Sequence, residues 1–220
     1  MLILLILSPL IIFSFDSFPQ APFADEHDCP EFKARAKVPG ANNAIVGTLD
    51  LGAIETSSKG YRRVHCVSNP CTFNINELVV GVTSADVLFH LGTGEANANL
   101  PPGTRMERLA QHLIQQQSYY PLFPPSKDMN IDLKQMERFS MPCQPDILIT
   151  PSKLGPFARS VADKTLVINP GTLTKGSTGG TYATAQIAPM KRESLDDLVD
   201  GNLELAHNVV ERSRVVIQRI

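Results

Sequence analysis

Apolar residues bunch into short runs over most of this chain, and one stretch carries a sustained helical period. Between Arg105 and Gln117, the residues Met106, Leu109, Ala110, Leu113 and Ile114 recur at spacings that place them on one helical face. Thr104 and Glu107 form a capping box before that stripe, and Pro121 follows it, so both ends of an amphipathic helix are marked. His112 lies off the stripe and is expected at the surface.

The other runs read mostly as strands. Val64–Val67, Thr72–Ile75 and Leu78–Val82 are β-rich, with Asn69-Pro70 and Asn76-Glu77 as turn signals between them, which predicts a meander. Ser84 is expected to cap a short helix over Val87, Leu88, Phe89 and Leu91 that ends at Gly92. Ile147–Thr150 and Leu166–Ile168 are continuously apolar, as strands buried on both faces are. A short helix over Ser152–Ala162 between them completes a βαβ-like unit. Tyr119, Tyr120 and Phe123 are expected to pack a rigid connection at Pro121–Pro125. Farther on, Gly176–Gly180 reads as a flexible turn and Thr181–Ile187 as a strand. Arg214–Ile220 is its antiparallel partner, ending on a core-directed Ile220. Between those two strands, residues 189–208 carry Glu193, Asp196, Asp197, Asp200 and Glu204 and read as an acidic solvent loop.

Residues 1–60 stand apart from the ordered unit at 61–220. Met1–Phe13 is strongly apolar, but it is shorter than the roughly 20 residues a bilayer span needs, and Pro9 interrupts it. No Lys or Arg precedes Lys33, so a signal peptide would lack its positive region. A buried strand, or a piece of a chain that begins upstream, fits better than a secreted or membrane-anchored protein. From Phe18 to Gly60 the chain is rich in Pro, Gly, Asn and Ser and reads as a long loop, with one short strand near Ala44–Leu51.

Composition removes several function classes. With 220 residues, 43% of them hydrophobic, the chain can bury a real core. A net charge of −2 and a pI near 6.2 argue against an autonomous nucleic-acid binder, which needs a basic excess to neutralise phosphates. There is no Trp and aromatics are few, so a base-stacking platform is not expected. Cys29, Cys66, Cys71 and Cys143 form no CxxC pair and read as buried free thiols.

The residues for hydrolytic chemistry are missing where the fold would place them. Asp25-Glu-His27 matches by letters the Asp-x-His that opens a two-metal phosphoesterase site, but it lies in a Pro-flanked loop without downstream companions. The histidines His27, His65, His90, His112 and His207 share no spacing that suits one metal. His65 is expected on a strand and His90 at a helix end, both as structural residues. There is no Gly-x-Ser-x-Gly elbow and no P-loop. The run from Gly171 to Gly176 leads into a strand instead of a helix and so lacks anion-binding geometry.

Longer strings carry a resemblance. They are Val82-Thr-Ser-Ala-Asp-Val-Leu-Phe-His-Leu-Gly92, Gln117-Ser-Tyr-Tyr-Pro-Leu-Phe-Pro-Pro125 with Asp128-Met-Asn-Ile-Asp132, Pro145-Asp-Ile-Leu-Ile-Thr-Pro-Ser-Lys-Leu154, and Val167-Ile-Asn-Pro-Gly-Thr-Leu-Thr-Lys-Gly176 with Gly179-Gly-Thr-Tyr-Ala183. Together they resemble the carboxy-terminal part of the B subunits of DNA polymerase alpha–primase, over about Tyr61 to Ile187. The resemblance implies an α/β fold: a partial calcineurin-like phosphoesterase sandwich of two mixed sheets flanked by helices, non-catalytic, with no catalytic residue, metal ligand or cofactor. In such proteins the domain joins an OB-fold. It grips the carboxy-terminal domain of the catalytic polymerase subunit and, through it, primase, supporting primer synthesis in the nucleus with only indirect DNA contact and no membrane. The alternative reading is an active metallophosphoesterase with unusual ligands. The resemblance implies that the 220 residues correspond to the part of such a protein that follows its amino-terminal helical domain, its OB-fold and the first half of its phosphoesterase domain.

Overall fold

A computed structural model describes residues 2–7, 10–15, 64–96, 98, 103–162, 164–190 and 207–220, with side chains described from Val67 onward. Within it, the mixed α/β class expected from the sequence is the one observed. The centre is a five-stranded sheet built from β4 (Cys71–Ile75), β5 (Leu78–Val82), β6 (Ile147–Ile149), β7 (Phe157–Val161) and β8 (Thr165–Asn169). Its order is β4-β5-β6-β8-β7, with β5, β6 and β8 parallel and the two edge strands antiparallel to their neighbours. All of β6 and β8 is buried, as their unbroken apolar runs predict for central parallel strands.

Each face of this sheet has its own cover. On one side lie α1 (Val87–Gly94), α2 (Arg105–Gln115) and the connector that carries Tyr119, Tyr120 and Met141, packed on Leu148 and Val167. On the other side Val80, Val82, Ile147, Ile149 and Ile168 meet the short α3 (Val209–Arg212) and a two-stranded leaf. The leaf pairs β11 (Thr181–Ile187) with β12 (Ser213–Arg219), antiparallel as expected, in a register that runs from Thr181 opposite Arg219 to Ile187 opposite Ser213. Small inward residues, Ala183 and Ala185, let the leaf lie close to the sheet. The result is helices, a central sheet and a second, smaller sheet, which is part of a sandwich.

The amphipathic helix is α2, with its capping box formed and Leu109, Ala110, Leu113 and Ile114 buried. It stops two residues sooner than predicted, and Gln117 takes φ +46 as the chain turns away. His112 is exposed at the helix surface, off the buried stripe, as expected. The hairpin turn between β4 and β5 is Asn76-Glu77, with Asn76 in the left-handed region that Asn tolerates at φ +53.

Several expectations are corrected. Ser152–Ala162 is not a helix: it contains a turn and then β7. Phe157 and Val161, four apart, share a side in either conformation, so spacing alone does not decide between them. Ser152 Oγ accepts the Leu154 N–H at 3.1 Å, a turn-forming bond that competes with helix, and Gly155-Pro156 follow. The predicted meander is also broken. β3 (Val64–Val67) pairs with β2 (Leu10–Phe15), which pairs with β1 (Leu2–Leu7), in a separate sheet. The apolar start is thus a strand hairpin. Asp86, not Ser84, caps α1, because Ser84 is held by Asn69; the helix passes Gly92 and ends at Gly94.

Residues Gly176–Gly180 belong largely to a small hairpin of β9 (Thr174–Lys175) and β10 (Thr178–Gly179), not to a free turn. Phe123 and Ile220 are exposed instead of packed, at 73% and 60%. Of the expected buried thiols, Cys71 is half-buried and Cys143 is exposed. Asp25, His27, Cys29, the strand near Ala44–Leu51 and the acidic stretch at 191–206 lie outside the described residues.

A strand-end cluster as the candidate functional site

Because β5, β6 and β8 are parallel, their carboxyl ends share one edge, where open α/β sheets place their ligands. The turns leaving that edge are held to one another by side chains. Asn169, the last residue of β8, is fully buried. Its Oδ1 accepts the N–H of Ser152 at 2.9 Å and of Gly171 at 2.8 Å. Its Nδ2 donates to the carbonyls of Leu154 at 3.3 Å and Gly155 at 3.2 Å. Both lone pairs and both amide hydrogens are therefore committed.

Asp86 ties the next pair of turns. One carboxylate oxygen accepts the Phe89 N–H at 3.2 Å, capping α1, and the other accepts the Lys153 N–H at 2.9 Å across the edge. Asn69 adds the segment before β4. Its Oδ1 accepts the Ser84 N–H at 2.9 Å and its Nδ2 donates to Ser84 Oγ at 2.5 Å. Thr83 Oγ1 accepts the Ala85 N–H at 3.2 Å. Thr150, also at this edge, is buried, and its hydroxyl has no partner among the described residues.

The edge thus offers hydroxyls, two amides and one carboxylate already used by backbone donors. A pair of divalent ions needs several free carboxylates and imidazoles converging from successive strand ends. Among the described residues, no three His, Cys, Asp or Glu side chains come together where they could share an ion. The described residues of this edge therefore do not fit a two-metal centre. What they present outward is the Phe89 ring, with Lys153 Nζ lying 5.7 Å from its centroid.

The histidines are dispersed. His65 lies on β3. His90 sits inside α1, not at its end, buried with Nδ1 3.1 Å from Tyr120 Oη. His207 lies at the opposite edge, 2.8 Å from Asp146 Oδ2, an atom that also accepts the Val79 N–H at 2.8 Å. Nearby, Arg212 bonds Glu77 Oε1 at 3.1 Å and the carbonyls of His207 and Ala188. The Glu77 backbone N–H, with Arg212 second, holds that carboxyl below its ordinary range against a burial that opposes them. These contacts fasten the leaf to the sheet.

Sequence reasoning read Asn69 only as part of a turn signal and did not single out Asn169 or Asp86. Asn169-Pro170-Gly171 is a turn signal directly after a buried strand, and that was the available clue.

With this geometry in view, comparison with known proteins gives a consistent result. Residues 12–159, about two thirds of the chain, match the model of the family described as the B subunits of DNA polymerases alpha and epsilon. The chain is 40% identical over 129 residues to the DNA polymerase alpha B subunit of Mus musculus, covering 58% of this chain and 21% of the relative. It is 34% identical over 161 residues to the protein of that name in Schizosaccharomyces pombe, covering 70% and 27%. With the Drosophila melanogaster protein of that name it shares 38% over 131 residues, covering 59% and 21%. The chain spans about a fifth to a quarter of the length of these curated relatives.

Proposed function

Since this chain belongs to the family of DNA polymerase alpha and epsilon B subunits, we propose that it acts as a non-catalytic accessory subunit of the DNA polymerase alpha–primase complex. In this reading it tethers the catalytic subunit through that subunit's carboxy-terminal domain, and primase through it, supporting primer synthesis in the nucleus. DNA is contacted only through the complex. The observation that carries the reading is the fate of the strand-end side chains. Asn169 and Asp86 bond backbone groups of neighbouring turns, so the edge is spent on holding a shape. A rigid, internally satisfied edge suits recognition of another protein, because little has to be ordered on binding.

Two measurements test this. The tagged chain, co-expressed with the catalytic subunit of DNA polymerase alpha, should co-purify with it and with a fragment holding only its carboxy-terminal domain. The purified chain with manganese and a generic phosphodiester should show no turnover. Chelator-sensitive hydrolysis, or failure to co-purify, would overturn the reading.

A further inference from the structure

We infer that the strand-end edge is itself the docking surface, and that it takes an acidic, apolar segment of the partner polypeptide; this rests on the accessory-subunit reading above. The argument begins with what is left over at the edge. Asn169, Asn69 and the carboxylate of Asp86 are turned inward onto the turns, so they do not compete for a ligand. Two features face outward. Phe89 is 39% exposed although it lies in the first turn of a helix whose neighbours Val87 and Leu88 are fully buried. The Lys153 ammonium lies over that ring at 5.7 Å.

The position of the pair is fixed from below. Asp86 accepts the backbone N–H of both Phe89 and Lys153, so one carboxylate sets the two turns at a constant separation. The ring and the ammonium are thereby presented on a firm base, which lowers the ordering cost of binding. Leu173, 43% exposed, is a further apolar residue in the turn after β8, which Asn169 ties to the turn of Lys153 through Gly171 and Ser152.

Charge decides the kind of occupant. Among the described residues of the three turns, the charged groups are Asp86 and Lys153, and Lys175 follows on the adjoining hairpin. The Asp86 carboxylate is spent on backbone donors at the start of α1, leaving ammonium groups as the charges offered to a partner. An aromatic ring beside a lysine complements a segment with an apolar side chain next to a carboxylate. A phosphate backbone would need a broader basic field than two lysines supply.

The test measures binding of the whole chain to the catalytic subunit of DNA polymerase alpha, with variants Phe89→Ser, Lys153→Glu and, on the outer face of the leaf, Arg214→Glu. Phe89→Ser should weaken binding by about thirtyfold, in the range of a central aromatic anchor. Lys153→Glu should weaken it by about tenfold, less so at high salt. Arg214→Glu should bind as the unaltered chain does, and circular dichroism should show all three folded. Equal binding by both edge variants would overturn this inference while leaving the accessory role standing. No binding by the unaltered chain would overturn both. Loss of a self-associated form in Phe89→Ser, with partner binding unchanged, would assign the edge to a second copy and also overturn it.

Discussion

The side chain of Asn169 accepts the backbone N–H of Ser152 at 2.9 Å, joining the ends of two parallel strands through a residue with no exposed surface. The same side chain reaches Gly171, Leu154 and Gly155, so one amide organises both turns. Asn169→Ala leaves buried backbone donors without acceptors. Its cost should be about 3 kcal/mol, from a penalty of roughly 1–3 kcal/mol for each unsatisfied buried group. Urea denaturation with an unchanged m-value checks it. Asn169→Asp should not rescue, because it keeps the acceptor, loses the donor and buries a charge.

Gly81 and Tyr119 form a steric pair. A Cβ at Gly81 would lie 2.5 Å from Tyr119 Oη, which is itself 2.6 Å from Thr72 Oγ1 and donates to the Cys71 carbonyl at 3.1 Å. Gly81→Ala should destabilise by about 2 kcal/mol through overpacking. Tyr119→Phe should cost about 1 kcal/mol for the lost hydrogen bonds. The double variant should be less destabilised than the sum, because the phenyl ring lacks the atom that clashes. Strict additivity would contradict the packing described.

Two carboxylates among the described residues contribute to the acid limb of stability. Glu107 is held below its ordinary value near 4.5 chiefly by the Thr104 backbone N–H, with the Thr104 hydroxyl and Arg159 assisting. Glu77 is lowered by its own backbone N–H and by Arg212. In both cases the unfolded chain binds protons more readily than the folded one. Their contribution is therefore complete above the unfolded value and is lost as pH falls through the folded one. Stability measured from pH 7 to 3 should fall, and the double variant Glu77→Gln, Glu107→Gln should show a shallower decline. An unchanged acid slope would contradict these assignments.

Thiol reactivity separates two cysteines. Burial pushes the Cys71 thiol up to about 12, while Cys143 is exposed. At neutral pH, labelling read by peptide mass spectrometry should modify Cys143 promptly and Cys71 only on unfolding. Prompt labelling of Cys71 would mean that β4 opens in the native state.

Much of this architecture is legible in the sequence because its signals are local. The capping box and stripe of α2 and the unbroken apolar runs of β6 and β8 follow from neighbours within one element, and β11 and β12 each carry their own strand pattern. The failures come from long-range choices. Phe157 and Val161 satisfy a helix and a strand equally, and only the place beside β8 selects the strand. β3 has the composition of a meander strand, yet it pairs with β2, far away in sequence. The candidate edge was visible as turn text, but its organisers were not. An asparagine that accepts from two turns looks no different in sequence from one facing solvent.

Metal analysis of the purified chain, after incubation with manganese and then zinc and gel filtration, tests the central claim most directly. If the strand ends serve to hold turns together, neither metal should be retained stoichiometrically and the melting temperature should not rise with added ion. One or more equivalents retained per chain, with a matching rise in melting temperature, would contradict the account.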